Sequence, residues 1–301
     1  MPDELGHDLQ HSGSPGSTPF SSGGGGHVFE NKVQAGLLAT LLVRGYTPVF
    51  EDALIEELHL QCEHKGFRTD DALVVGADRA GRSRRQLWAV KRGVTFTQSD
   101  PEFVDVLKDA WDDFGDPDRF NPELDAIILA TSFLAAKQAH LLTLLETARA
   151  AATVEDFEAR VEQPGFVSNH VRDYLRLFRK LSTDVLSREP SPEQLWHFLR
   201  RFHVLHYDFD RDASQAETNC RTLLSLAMRG GSGETGEELW NRILRWVSDG
   251  NARAKSFTRD SLPAEWLKVC DPVAPRYQAS TIQRLREHTE NHLKRIQTRL
   301  G

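Results

Sequence analysis

The chain has 301 residues, of which 39% are hydrophobic and 27% are charged, and its formal net charge is −7. This length allows two domains of ordinary size, and the composition is typical of a soluble globular protein. The acidic balance excludes binding to nucleic acid through a global basic excess, so any such binding must use a local basic patch.

The sequence shows no pattern typical of a secretory signal, a membrane-spanning segment or a paired-cysteine motif. The N-terminus has no apolar segment of the kind found in secretory signals, and the longest apolar stretch, residues 126–136, is too short to span a bilayer. Cys62, Cys220 and Cys270 lie far apart and form no CxxC motif. We therefore expect free thiols and a cytoplasmic protein that makes no contact with a membrane.

Residues 1–26 are rich in Gly, Ser, Pro and His and are nearly free of apolar side chains. Such a segment cannot bury a core, so we predict a disordered leader. Its closing run of four glycines, residues 23–26, is not followed by Gly-Lys-Ser/Thr and is therefore not a nucleotide-binding P-loop. We interpret it as a flexible entry into the first helix.

The apolar pattern of residues 27–131 changes period several times. Helical spacing, alternation and short continuous apolar runs predict a helix at 27–43, strands at 54–63, 72–76 and 86–92, a helix that begins near 99–101, and a strand at 124–131. The order α-β-β-β-α-β predicts one α/β unit with a single mixed sheet.

Helical spacing dominates after residue 133. Helices are predicted at 133–150, 154–162, 168–186, 191–204, 213–229, 234–249, 260–269 and 280–300. We therefore expect residues 140–300 to be almost wholly helical and to bury Trp196, Trp240 and Trp246 in a core separate from the sheet. The predicted division is a leader (1–26), an α/β domain (27–132) and a helical assembly or connector region (133–301).

Two neighbouring predicted strands carry charges at their ends. Asp70 and Asp71 open one strand, and Lys91 closes the next. In adjacent strands these groups can meet at one end of a sheet. A carboxylate that holds a divalent cation and a lysine that stabilises charge on a phosphate suit metal-assisted phosphodiester cleavage. Taken singly, Lys91 is an ordinary strand-end lysine and Asp70-Asp71 an ordinary turn-to-strand junction.

A local cluster of arginines gives the strongest basic patch. The arginines considered for DNA binding are Arg82, Arg84, Arg85 and Arg92. The alternative interpretation is a solvated hairpin turn, and charge alone does not separate the two.

These features together resemble the PD-(D/E)xK nuclease fold, and more narrowly the nuclease modules of bacterial anti-phage proteins. Those modules include effectors linked to cyclic-oligonucleotide signalling and the N-terminal nucleases of STAND-type ATPases. The similar segments are residues 23–30, 70–75, 87–92 and 98–101, followed by 201–210 and 238–240. The resemblance implies a restriction-endonuclease-like αβββαβ core followed by an all-α region.

The resemblance also implies site residues. Glu30, Asp71 and Lys91 match the active-site positions of the family, with Asp70 as the alternative to Asp71. Ala89 stands where the family usually has Glu or Gln, and alanine cannot ligate a metal. The implied metal shell is therefore built from Asp71 and Glu30, with Asp70 or Glu63 as further ligands, and the implied cofactor is Mg²⁺ or Mn²⁺.

Two other acidic or histidine-rich motifs have structural interpretations. Asp208, Asp210 and Asp212 have the spacing of a calcium loop, but its Gly and Glu positions are not matched, so we interpret them as a solvated connection. His203 and His206 could hold zinc with Asp208, but their apolar neighbours favour a packed helix end.

Two functions fit the sequence. The first is a Mg²⁺-dependent endonuclease of double-stranded DNA that acts in anti-phage defence, as a homo-oligomer or with a linked sensor or ATPase module. The second, favoured by Ala89, is a catalytically decayed nuclease fold that binds DNA or a protein partner. Geometry distinguishes the two functions. The nuclease function requires Glu30, Asp71 and Lys91 to converge on one space of the size of a metal ion.

Overall fold

The computed structural model describes residues 25–132, 138–230 and 233–272. Within these residues the chain is an α/β protein, with a seven-stranded mixed sheet and helices on both faces. The predicted leader lies outside the described residues except for Gly25 and Gly26, which begin the first helix. The helix predicted at 280–300 also lies outside them.

The first half of the chain has the predicted order of elements. Up to residue 131 these are α1 (Gly25–Leu42), β1 (Tyr46–Thr47), β2 (Phe50–Leu60), β3 (Ala72–Ala77), β4 (Ser83–Lys91), α2 (Pro101–Phe114) and β5 (Ala126–Thr131). The predicted single mixed sheet is confirmed. The short β1 is an addition, and a 3₁₀ helix, Cys62–Lys65, replaces the end of the strand predicted at 54–63.

The second half contains strands as well as helices. Its elements are α3 (Ala139–Ala150), α4 (Val154–Glu162), α5 (Asn169–Leu186), α6 (Pro192–Arg201), β6 (Phe202–His206), α7 (Gln215–Ala227), α8 (Gly236–Asn251), β7 (Ser256–Thr258) and α9 (Ala264–Val269). The expectation of an all-α region after residue 133 is therefore wrong. β6 and β7 have only five and three residues, too few for a period of two to stand out from helical spacing.

The sheet joins both halves of the chain. Its strand order is β1-β2-β3-β4-β5-β6, with β7 beside β2. β2, β3 and β4 are antiparallel, whereas β4, β5 and β6 run parallel. The start of β3 and the carboxyl ends of β4, β5 and β6 consequently lie along one edge of the sheet.

The two faces of the sheet support two apolar cores. Strand side chains alternate, so Trp88 and Val90 face the core formed with α1, α7, α8 and α9, while Leu87 and Ala89 face the core formed with α2 to α6. Trp240 belongs to the first core and Trp196 to the second. The predicted separate helical core is therefore wrong, because both cores cross the predicted boundary between residues 132 and 133.

Helix α2 fixes the segment that leads into β3. Its N-cap, Asp100, accepts hydrogen bonds from the main-chain nitrogens of Glu102 and Phe103. Further along, the fully buried Asp113 accepts hydrogen bonds from the main-chain nitrogens of Arg68 and Thr69, at 3.0 and 2.7 Å. These bonds hold the chain just before Asp70 and Asp71.

Candidate active site

The antiparallel pairing of β3 and β4 brings Asp71 next to Lys91. Ala72 pairs with Trp88, so the residue before β3 lies beside the last residues of β4. Lys91 Nζ is 3.3 Å from Asp71 Oδ2, and the main-chain nitrogen of Val90 donates to the same oxygen at 2.6 Å. The predicted meeting of a carboxylate and a lysine at one end of the sheet is present in the structure.

Helix α1 adds Glu30 to this pair. Its apolar side chains belong to the core on one face of the sheet, and this packing holds Glu30 at the sheet edge with 9% of its surface exposed. One turn later, Gln34 Nε2 donates to Glu30 Oε1 at 3.0 Å and to the main-chain oxygen of Asp71 at 2.9 Å. Gln34 thus ties the two predicted acidic residues together.

Two further amides hold the same oxygen of Glu30. Gln61 Nε2 donates to Glu30 Oε1 at 2.7 Å, and Asn251 Nδ2 donates to it at 2.9 Å. With Gln34, three amide donors converge on one carboxylate oxygen. Because an unpaired buried charge is costly, these donors offset the burial of Glu30 and fix its rotamer.

The site residues line an open cavity of about 1030 Å³ at the sheet edge. Glu30, Asp71 and Lys91 form part of its wall, together with Arg92, Thr95 and Ser132, which lie near the carboxyl ends of β4 and β5. The first residues of α1 and of α2 also face this cavity, at Gly26, His27, Pro101 and Glu102. A cavity outside the carboxyl ends of parallel strands is a common place for a ligand in α/β proteins.

The second oxygen of each acid remains available to a ligand. Among the described residues, Asp71 Oδ1 and Glu30 Oε2 accept no hydrogen bond, and the nearest basic atom to Glu30 Oε2 is His27 Nδ1 at 3.8 Å. Mg²⁺ keeps several waters and is usually held by one or two carboxylates together with substrate phosphates. Two carboxylates with one available oxygen each fit a cation bound in this way.

A closed metal site is not formed by the described part of the chain, where no group of three or more His, Cys, Asp or Glu side chains could hold an ion. Glu63 is exposed on the 3₁₀ helix and Asp70 is half-buried beside Asp71, and neither lines the cavity. Of the four predicted metal ligands, the structure therefore brings together Glu30 and Asp71 only.

The charged groups of the site shift one another's pKa values. The pKa of Glu30 is raised by burial and by the nearby charge of Asp71, although Asn251, Lys91 and His27 act in the opposite direction. Burial lowers the pKa of Lys91, but the charge of Asp71, its hydrogen bond and the other acids outweigh this effect, so that pKa is raised. Such shifts mark an electrostatically negative site, in which a cation stabilises the carboxylates.

Ala89 lies beside Asp71 in the sheet but belongs to the apolar core on the α2 side. It is buried, with 6% of its surface exposed, and supplies no ligand. The position at which the resemblance leads us to expect Glu or Gln is therefore occupied by an alanine that packs in the core.

The predicted DNA-binding arginines are divided by the structure. Arg92 lines the cavity, where its Nε is 3.5 Å from Asp210 Oδ2. Arg85 is the third residue of β4, near the opposite end of the strand, roughly 20 Å from Lys91 at about 3.3 Å per residue. Its guanidinium is 2.7 Å from the buried Asp125, so its charge is used within the fold.

Arg82 and Arg84 share this distal location. Both pair with the buried Asp78, with nitrogen–oxygen distances of 2.8 and 3.4 Å. Arg84 also lies over the ring of Phe50, 5.1 Å from its centroid. Neither arginine lines the cavity.

The remaining motifs have structural roles. Asp208 accepts hydrogen bonds from the main-chain nitrogens of Gln215 and Ala216 and thereby caps α7. His203 lies in β6 and not at a helix end, and burial together with Arg149 and Arg201 lowers its pKa to about 3. The interpretation of His203 as part of a helix end is therefore wrong.

Sequence reasoning missed Gln34, Gln61 and Asn251. Gln34 lies four residues after Glu30 on α1, a spacing that places both side chains on one face of a helix, so this residue could have been found. Nothing in the sequence points to Asn251, which is 221 residues from Glu30 and belongs to the half that we expected only to mediate assembly.

Across the described residues, no helix combines the length and the apolar character needed to cross a membrane.

No protein-family model and no curated protein matches the sequence. Among solved structures, the chain is similar to the Cap4 SAVED/CARF-domain containing receptor of Acinetobacter baumannii, with a TM-score of 0.43 and 9% identity over 78% of this chain and 44% of that chain. For the same receptor with the cyclic trinucleotide 2'3'3'-cAAA, the TM-score is 0.44 with 9% identity over 78% and 43%. For the Cap4 receptor of Moraxella osloensis, it is 0.42 with 8% identity over 78% and 44%. The chain spans less than half the length of these receptors.

Proposed function

We propose that the chain is a metal-dependent DNA endonuclease whose active site consists of Glu30, Asp71 and Lys91. The observation that supports this most is their convergence on one cavity at the edge of the sheet. The α-β-β-β-α-β order, with the acid at the start of β3 and the lysine at the end of β4, further supports a restriction-endonuclease-like core of the PD-(D/E)xK type.

Each residue has a proposed task. Asp71 and Glu30 would hold Mg²⁺ or Mn²⁺, which when bound lowers the pKa of a water and so supplies the nucleophile. Lys91 keeps its ammonium charged beside Asp71 and stabilises negative charge on the phosphate. The N-terminus of α1 faces the same cavity, and its helix dipole favours the same phosphate.

The biological setting is proposed from the resemblance of the site motifs. We propose an effector that cleaves double-stranded DNA in anti-phage defence, activated by assembly with further copies or by a linked sensor or ATPase module. Cleavage that depends on protein concentration would support activation by self-assembly.

The cleavage assay uses supercoiled plasmid with Mg²⁺, Mn²⁺, Ca²⁺ or EDTA. We expect nicked and linear products with Mn²⁺ and Mg²⁺ and none with EDTA. Lys91→Ala should abolish cleavage, whereas Lys108→Ala, which removes an exposed lysine from α2, should leave it unchanged. Cleavage that persists in EDTA or in Lys91→Ala would contradict the mechanism.

The second candidate is a catalytically decayed module that binds DNA or a protein partner. The specific observation in its favour is the buried Ala89, which leaves two carboxylates at the site. Absence of cleavage by the unmodified chain under every metal and assembly condition, together with measurable DNA binding, would favour this candidate.

A further inference from the structure

Asn251 reaches the candidate site from the far end of the described chain. It is the last residue of α8, which packs against α1 in the core on that face of the sheet. Its Nδ2 donates to Glu30 Oε1 at 2.9 Å and to Asn31 Oδ1 at 3.2 Å. A residue of the second half of the chain therefore contacts the acid that the first half supplies.

The orientation of the Asn251 amide is fixed by its other partner. Gln61 Nε2 donates to Asn251 Oδ1 at 2.9 Å and to Glu30 Oε1 at 2.7 Å. Because Asn251 Oδ1 accepts the hydrogen bond from Gln61, the Nδ2 of the same amide is the atom that faces Glu30. The three side chains form a closed triangle of hydrogen bonds that includes Glu30 Oε1.

The backbone of Gln61 shows the cost of this arrangement. Its φ of 51° and ψ of 67° lie in the left-handed region, which is strained for a non-glycine residue. Glycine at this position would relieve the strain but would remove the amide that bonds both Glu30 and Asn251. An outlier of this kind beside a cavity points to a functional constraint.

We propose that Asn251 is a positioning residue for Glu30, so that α8 sets the geometry of the proposed metal site. This inference rests on the proposed function, because the role of Glu30 as a ligand belongs to it. Asn251 does not itself line the cavity and acts through Glu30. With Oε1 held by three amides, the carboxylate can turn only Oε2 towards a cation.

Mn²⁺ binding followed by electron paramagnetic resonance tests the proposal in the absence of DNA. Asn251→Leu removes the donor, and the isosteric Asn251→Asp places a carboxylate oxygen opposite Glu30 Oε1. Both should weaken Mn²⁺ binding by about 10-fold to 100-fold, as is usual for residues that orient a metal ligand. The matched controls are Asn241→Leu and Asn241→Asp, on the exposed surface of the same helix, which should bind like the unmodified chain.

A double-mutant cycle with Glu30→Gln separates positioning from a general structural effect. If Asn251 acts through Glu30, Asn251→Leu should change Mn²⁺ affinity little once Glu30 has been replaced. Additive losses in the cycle would overturn the proposal, as would unmodified Mn²⁺ affinity in folded Asn251→Leu and Asn251→Asp. If the unmodified chain binds no Mn²⁺ at all, the proposed function fails first and the positioning role fails with it.

Discussion

Lys91 Nζ lies 3.3 Å from Asp71 Oδ2, and that oxygen also accepts the main-chain N–H of Val90 at 2.6 Å. Asp71 therefore fixes the end of β4 while it faces the cavity. One carboxylate has a structural task and a proposed chemical task, and substitutions at Asp71 can separate them.

The first prediction compares two substitutions of Asp71. Asp71→Asn keeps an oxygen that can accept from Val90, so the free energy of unfolding should change by no more than about 1 kcal/mol. Asp71→Ala leaves that buried N–H unpaired and should lower the free energy of unfolding by about 1–3 kcal/mol. Both should lose cleavage, since neither has the charge of a carboxylate. Urea denaturation and the plasmid assay measure the two effects, and full cleavage by Asp71→Asn would contradict the assignment.

The second prediction concerns the pair formed by Arg92 and Asp210 at the cavity. Arg92 is 51% exposed, so this pair contributes little to stability but competes with a phosphate for the guanidinium. In the inactive Asp71→Asn background, Asp210→Asn should strengthen DNA binding about 2-fold to 5-fold. Arg92→Ala should weaken DNA binding. It should also reduce by about 1 the magnitude of the slope of the logarithm of the binding constant against the logarithm of the salt concentration.

Fluorescence anisotropy at several salt concentrations measures this effect. Asp173→Asn, which breaks an exposed pair with Arg176, is the matched control and should not alter binding. Unchanged affinity in both Asp210→Asn and Arg92→Ala would place the DNA elsewhere on the protein.

The third prediction assigns Arg85 to the fold. Its main-chain nitrogen and its side chain both donate to the buried Asp125, at 3.0 and 2.9 Å. Arg85→Ala should lower the free energy of unfolding by about 3 kcal/mol, because it leaves a buried charge unpaired. DNA affinity of the folded variant should stay unchanged, and a loss of affinity without a loss of stability would reverse this assignment.

The fourth prediction is a dependence of stability on pH through Asp70. Burial and the charge of Asp71 raise the pKa of Asp70 to about 6, from an ordinary value of 3.8. The folded state therefore binds a proton more tightly than the unfolded state, so this group destabilises the fold increasingly as the pH rises from about 4 to 6. The penalty is then constant above the folded pKa.

Asp70→Asn should remove that penalty. At pH 7 we expect an increase in the free energy of unfolding of about 1 kcal/mol after allowance for solvent screening, or about 2–4 °C in Tm. The increase should shrink below pH 6 and vanish near pH 4. Asp118→Asn, at an exposed position, is the control for thermal unfolding followed across this pH range. An increase that is independent of pH would show that charge is not its cause.

The sequence was sufficient to predict Asp71 and Lys91 as neighbours, because both lie at strand ends and the strands are consecutive. Glu30 came from the resemblance, since a glutamate in the first turns of a helix is common for other reasons. The arginines were misleading because charge in a sequence does not reveal its partner: Asp78 and Asp125 take up Arg82, Arg84 and Arg85 in the fold.

Long-range contacts set the limit of prediction from one sequence. β6 adds only five residues to the sheet, and Asn251 meets Glu30 through the packing of α8 on α1. Neither the addition of β6 to the sheet nor the contact of Asn251 with Glu30 can be predicted from the neighbouring sequence, because both depend on which helices cover which face of the sheet. The prediction of a helical core separate from the sheet was wrong for the same reason.

The rate of single-turnover cleavage of supercoiled plasmid in Mn²⁺, compared between the unmodified chain and Lys91→Met, tests whether Glu30, Asp71 and Lys91 form the active site. Methionine keeps the apolar stem of the side chain and removes the ammonium, so the fold should be retained. We expect cleavage by the unmodified chain and a rate at least about 100-fold lower for Lys91→Met. Equal rates for the two proteins would contradict the claim that Glu30, Asp71 and Lys91 form the active site.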